Sequence, residues 1–130
     1  MQLQSFLLQI EREDDGFRTT KVIVDLVNAI ATFETDEYIT IGMNSLIEKD
    51  LSPTQIKSFA DDIDRIDIAG WDNMGMPIVM LGGTSRSIEL VFSDLSSKRF
   101  KGFYTNPQGW KTLAKAIAGL FDNDRILNYI

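Results

Sequence analysis

The chain opens with alternating apolar and polar positions. Phe6, Leu8 and Ile10 lie two residues apart, with Gln9 and Glu11 on the opposite side of the pattern. A period of two is typical of a half-buried β-strand. The Asp-Asp-Gly run at 14–16 is typical of a turn. The first segment is therefore predicted to be a strand with one apolar face.

The segment from Thr19 to Phe33 shows a helical period. Its apolar residues fall on one helical stripe, namely Val22, Ile23, Leu26, Val27, Ile30 and Phe33. Thr19 or Thr20 can serve as the N-cap. The pattern predicts a helix over this segment, although the β-branched run at 22–24 favours a strand.

Two further helices are predicted from their start signals. Ser52-Pro53-Thr54-Gln55 combines an N-cap, a proline at the first helical position and a capping box. The helix that follows is expected to end near Asp64 and to bury Ile56, Phe59, Ala60 and Ile63. Asn106-Pro107 is expected to cap the last helix, with an inner stripe of Leu113, Ala114, Ile117, Leu120 and Phe121. The tail is expected to dock through Ile126, Leu127 and Tyr129.

Short alternating segments predict the remaining strands. They cover 38–43, 65–71, 76–81, 87–93 and 99–105, with a hairpin signal at 82–85 and a turn at 94–97. Consecutive short strands favour an antiparallel meander in the second half of the chain. The predicted fold is one α+β domain over 1–130, a single antiparallel sheet covered by about three helices, mostly on one face.

Composition narrows the chemistry. The 130 residues include no cysteine and no histidine. Thiolate nucleophiles, histidine-based triads and nearly all zinc or copper sites are therefore excluded. Carboxylate acid/base chemistry, a Ser–Lys pair or Mg²⁺ and Ca²⁺ binding stay open, but no motif places residues for them. We predict a binding protein with no catalytic residues, no metal and no cofactor.

Neither a leader peptide nor a membrane span is predicted. The first ten residues have no basic start, and Gln4, Ser5 and Gln9 interrupt their apolar run. No stretch approaches the roughly 18 uninterrupted apolar residues that a membrane-spanning helix needs. The expected location is the cytoplasm.

Charge is distributed unevenly along the chain. Residues 34–72 contain ten acidic and three basic residues, a net charge of −7, whereas the whole chain has a net charge of −6. Residues 84–130 contain four acidic and seven basic residues, a net charge of +3. Such crowding of like charge serves either solubility alone or a basic partner.

The second possibility leads to the functional prediction. Asp61, Asp62 and Asp64 should point away from the apolar face of their helix, and Asp67 and Asp72 follow closely, with Trp71 as an apolar anchor. We predict that these residues bind a basic protein. The most concrete form is a bacterial immunity or antitoxin-type inhibitor of a toxin such as a nuclease, in which carboxylates replace nucleic-acid phosphates.

Two alternatives involve other surfaces. A chaperone or adaptor would use sheet edges and apolar helix faces. A single-stranded nucleic-acid binder would use segment 98–111, where Lys98, Arg99, Lys101 and Lys111 alternate with aromatic residues. The net charge of −6 makes nucleic-acid binding the less favoured of the two.

Overall fold

A computed structural model describes residues 2–13, 17–36, 45–66, 68, 83–103 and 109–130. Its centre is a six-stranded antiparallel sheet. The strands are β1 (Leu3–Glu13), β2 (Phe17–Asp25), β3 (Ile30–Thr35), β4 (Leu46–Asp50), β5 (Gly83–Phe92) and β6 (Ser97–Phe103). The helices are α1 (Pro53–Arg65) and α2 (Trp110–Phe121), followed by a 3₁₀ turn at Asp124–Asn128.

The strand order across the sheet is β4-β3-β2-β1-β5-β6. The α+β class and the single antiparallel sheet are therefore confirmed. Among the described residues the meander consists of β1 to β4, in the first half of the chain, and the second half contributes the β5–β6 hairpin. The β5–β6 hairpin pairs with the other side of β1, so the first strand lies in the interior of the sheet. The described residues form two α-helices rather than about three.

The predicted helix at 19–33 is wrong, because this segment forms the β2–β3 hairpin. Val22 and Val24 are buried, whereas the exposed fraction of Ile23 between them is 40%. The β-branched run thus alternates across a sheet. The chain reverses at residues 26–29, where Ala29 has a φ of 59°. The apolar residues fit a helical period as well as the alternating period of a strand. Because β2 pairs with β1 on one side and β3 on the other, the segment forms strands.

The helix after Ser52 is confirmed. The Ser52 hydroxyl accepts a hydrogen bond from the Gln55 N–H at 3.1 Å, and the Gln55 side-chain carbonyl accepts one from the Ser52 N–H at 2.9 Å. This reciprocal capping box satisfies two backbone donors at the helix start. Phe59 and Ile63 face the core, as their spacing predicts.

The helices pack on one face of the sheet. The ring of Phe59 in α1 lies 5.3 Å from that of Phe6 in β1. Phe33 in β3 contacts Phe121 of α2 at 6.3 Å and Tyr129 at 5.8 Å between ring centroids. All three contacts are edge-to-face, a favoured geometry for aromatic pairs. The core therefore lies between the helices and the alternate side chains of the inner strands that face them.

The end of the chain follows the prediction in most respects. The inner stripe of α2 is buried as predicted, and α2 ends at Asp122 in a left-handed conformation with a φ of 51°. Its N-cap is Gly109 rather than the predicted Asn106, and residues 106–107 themselves lie outside the described residues. Ile126 and Tyr129 are buried, whereas the exposed fraction of Leu127 is 37%, so its predicted docking role is wrong.

The hairpin predicted at 82–85 is replaced by an extension of β5. Thr84 and Ser85 pair with Arg12 and Glu11 of β1. The predicted strands at 87–93 and 99–105 correspond to β5 and β6. Those at 38–43 and 76–81, and most of 65–71, lie outside the described residues, and Arg65 is the last residue of α1 rather than the first of a strand.

Candidate binding surfaces

The structure places three of the six predicted binding residues on α1. Asp61 and Asp64 are exposed. The side chain of Asp62 is only 25% exposed, and it forms an ion pair with Arg65 one turn later. Asp67, Trp71 and Asp72 lie outside the described residues.

The outer face of α1 carries charges of both signs. Asp61 lines a shallow groove together with Lys57 and Arg65. These residues are spaced four apart, so they follow one another along a single helix face. Three aspartates and two basic residues give the helix a net charge of −1. Alone, α1 is therefore a mixed-charge surface.

A denser group of carboxylates lies at the β4 edge of the sheet, on the face away from the helices. Glu34 of β3 and Glu48 and Asp50 of β4 are all exposed. Glu34 is opposite Leu46, so Glu48 is its diagonal neighbour. Diagonal neighbours and alternate residues of one strand lie about 7 Å apart. We call Glu34, Glu48, Asp50 and Leu46 the acidic edge.

The acidic edge is not neutralised by the described residues. Its three carboxylates form no ion pair and no hydrogen bond in the described part of the chain. Lys21 lies opposite Glu34 in the β2–β3 ladder, but no ion pair joins them. The mutual repulsion of the carboxylates is thus reduced only by solvent or by a bound partner, as far as the described residues are concerned.

Exposed apolar side chains border these carboxylates. Leu46 is 56% exposed, and Ile23 on β2, in the interior of the same face, is 40% exposed. Exposed apolar side chains beside charged ones are typical of protein interfaces, in which a polar rim surrounds a less polar centre. β4 is also the last strand of the described sheet on this side, so the outer side of its backbone has no strand partner there.

The opposite edge of the sheet is basic. Lys98, Arg99 and Lys101 of β6 are exposed, and Arg99 pairs with Glu89 at 3.1 Å. Two of the rings that could stack on bases are covered by the fold, because Phe100 and Trp110 are each only 4% exposed.

The acidic edge was missed from sequence for a structural reason. Glu34 and Glu48 are fourteen positions apart in the chain, and only the β3–β4 register brings them together. The alternation of Leu46, Glu48 and Asp50 with Ile47 and Lys49 was the available signal. It indicates a strand with one acidic face.

Comparisons with known proteins do not assign a function. No family model matches the chain, and no curated protein sequence matches it significantly. Within the described residues, no group of three or more acidic side chains is arranged to hold a metal ion. In the same ranges, no helix has both the length and the apolar character needed to cross a membrane.

Proposed function

We propose that this protein is a non-catalytic binding protein that docks a basic protein partner. The observation that carries the proposal is the acidic edge, where three exposed carboxylates on two adjacent strands form no ion pair with any described residue. A cationic partner surface would relieve their repulsion and cover Leu46. Complementary charge of this kind accelerates association and selects the partner.

The most concrete form of the proposal is an inhibitor of the immunity or antitoxin type, acting in the cytoplasm on a basic toxin such as a nuclease. Nucleases present cations to nucleic-acid phosphates, and a row of carboxylates can occupy the same cations. Asp61 and Asp64, with Asp67, Trp71 and Asp72, form a second candidate contact region under the same proposal. The two regions make separable predictions.

Charge reversal tests the proposal. Wild-type protein is used to capture partners from lysate of the producing organism, and each captured protein is then purified and titrated against the wild type. We expect a basic partner whose Kd rises at least tenfold between about 50 mM and about 500 mM salt, because screening lengths shorten to a few ångströms. The triple variant Glu34→Lys/Glu48→Lys/Asp50→Lys should lose binding.

The matched control is the double variant Asp61→Lys/Asp64→Lys on α1. Loss of binding in the triple variant alone assigns the contact to the acidic edge, and loss in the double variant alone assigns it to α1. A Kd unchanged by both variants would contradict the proposal. A complex that persists at about 1 M salt would instead favour the chaperone or adaptor alternative, in which apolar surface carries the affinity.

A further inference from the structure

The face of the sheet away from the helices carries an ordered row of side chains. We call this face the open face, because both described α-helices pack on the other one. The strand register places one residue from each strand side by side across it. From β4 to β6, this central row consists of Glu48, Thr32, Ile23, Leu7, Glu89 and Arg99. The row therefore begins with an acid, has two apolar residues at its middle and ends with a base.

The middle of the central row offers apolar surface to a partner. Ile23 of β2 is 40% exposed. It lies directly opposite Leu7 of β1, which is half-buried. Apolar side chains at the centre of a face, with charged residues at its margins, match the anatomy of a protein–protein interface.

The two margins of the open face carry opposite charges. The acidic edge supplies three carboxylates on the β4 side. On the β6 side, Arg99 and Lys101 alternate with the buried Phe100, so both are on the open face. The Nε of Arg99 donates to Glu89 at 3.1 Å. Its guanidinium has further N–H donors for a second carboxylate.

These features are self-complementary under a two-fold rotation. An axis parallel to the strands, midway between two sheets that face each other, reverses the strand order of the second copy. β4 of one copy then lies over β6 of the other, and β2 lies over β1. In the central row, Glu48 comes over Arg99 and Ile23 over Leu7, and symmetry produces each contact twice. In the adjacent row, Glu34 comes over Ser87, in a shallow depression that Arg99 and Lys101 also line.

We propose that the open face binds a second copy of this chain in a symmetric dimer, with the acidic edge of each copy on Arg99 and Lys101 of the other. Opposed charges at both margins select this pairing. Six strands about 4.8 Å apart and about 20 Å long give roughly 500 Å² for each copy. Such an area is at the low end for specific interfaces, so the dimer is weak and reversible.

The dimer covers the acidic edge, so self-association and docking of a basic partner exclude each other. This regulatory consequence rests on the proposed function, whereas the dimer itself does not. Arg99 and Lys101 belong to the dimer contact alone. Variants of these two residues therefore separate the two proposals.

Sedimentation equilibrium of the full chain at low salt tests the dimer, at protein concentrations that extend to the high micromolar range. The mass should rise with concentration from 14.7 kDa towards twice that value. Raising the salt from about 50 mM to about 500 mM should increase the dimer Kd at least tenfold through screening. Arg99→Glu/Lys101→Glu should weaken the dimer at least tenfold, and so should Glu34→Lys/Glu48→Lys/Asp50→Lys.

An equal mixture of these two variants is the decisive sample. In a mixed pair, the lysines on β4 of one copy face the glutamates on β6 of the other, and the native bases on β6 face the native acids on β4. Opposite charges are restored at both margins, so the mixture should dimerise although neither variant does alone.

The matched control is Lys57→Glu/Lys115→Glu, at exposed positions of α1 and α2. It changes the net charge by the same amount as Arg99→Glu/Lys101→Glu, and its dimer Kd should stay within twofold of the wild type. Far-ultraviolet circular dichroism verifies folding. If a charge variant does not fold, Ile23→Lys decides the question, because it places a charge at the centre and should weaken the dimer at least tenfold.

Three outcomes would overturn the dimer. They are a monomeric wild type at every concentration, a dimer that Arg99→Glu/Lys101→Glu leaves intact, as pairing through the β4 edge alone would, and a mixture of folded variants that stays monomeric. A monomeric wild type that still binds a basic partner would overturn the dimer and not the docking function. A dimer whose acidic-edge variant keeps its affinity for the partner would place docking elsewhere and leave the dimer standing.

Discussion

At the scale of single residues, Asp25 shows how one side chain shapes the chain path. Its carboxylate accepts hydrogen bonds from the N–H groups of Val27 at 3.0 Å and Asn28 at 2.9 Å, and from the Asn28 side chain at 2.8 Å. These bonds to Asn28, the backbone one first, hold the pKa of Asp25 below its usual range. Asp25 thereby stabilises the turn that connects β2 to β3.

Replacing Asp25 by alanine should therefore lower the free energy of unfolding by about 1 kcal/mol at pH 7, a modest value because the site is exposed. The folded state lowers the pKa of Asp25, so the contribution is fully present above the pKa of the unfolded state. It is lost as the pH falls through the lower folded value. Urea unfolding of both proteins across pH 7 to pH 2 measures the difference.

The conservative variant Asp25→Asn is the control. It keeps an oxygen acceptor for the Val27 and Asn28 N–H groups, so it should lose less stability than the alanine variant. It removes the titrating group, so this site's contribution should no longer vary with pH. Equal stability of wild type and alanine variant at pH 7 would show that these bonds do not stabilise the turn.

At the scale of elements, α1 depends on its first turn. Ser52→Ala should cost about 1 kcal/mol of unfolding free energy, because the Gln55 N–H loses its acceptor. Thr54→Ala, an exposed substitution in the same turn, should change stability by less than about 0.5 kcal/mol. Thermal or urea unfolding of the two variants distinguishes a capping effect from a general effect of alanine. Similar losses in both would contradict the capping role.

Elements whose signal lies in consecutive residues were predictable from sequence. Features that depend on which strands pair, and in which register, were not. The capping box of α1 consists of four consecutive residues, and the apolar stripe of α2 lies within a segment of twelve residues. The β2–β3 hairpin failed because its apolar residues satisfy a helical period as well as an alternating one. The acidic edge requires the sheet register, because only the pairing of β3 with β4 brings Glu34 close to Glu48, fourteen positions later in the chain.

At the scale of the whole molecule, the core joins the sheet to the C-terminal elements through Phe33. Its exposed fraction is 0%, and its ring contacts both Phe121 and Tyr129. Packing from three elements converges on this one side chain. Glu34 of the acidic edge lies on the other face of the same strand, and β3 also pairs with β4, so the stability of β3 underlies the proposed docking surface.

Phe33→Ala should lower the free energy of unfolding by about 3–5 kcal/mol, since it removes a buried ring and leaves a cavity. That is a large part of the roughly 5–15 kcal/mol typical of a domain. Ile23→Ala, on the opposite face of the sheet, should cost less than about 1 kcal/mol because its side chain is already 40% exposed. Chemical unfolding of the two variants checks the contrast, and equal losses would contradict the assignment of the core to the helix-covered face.

The acidic and basic edges lie at opposite ends of one sheet, so the charges of these described residues contribute an electric dipole moment in addition to the net charge. In the field of a cationic surface, such a molecule rotates before it makes contact, so that β4 leads and β6 trails. The orientation that allows binding would then be selected during diffusion. Encounters in which β6 approaches the cationic surface first would be repelled.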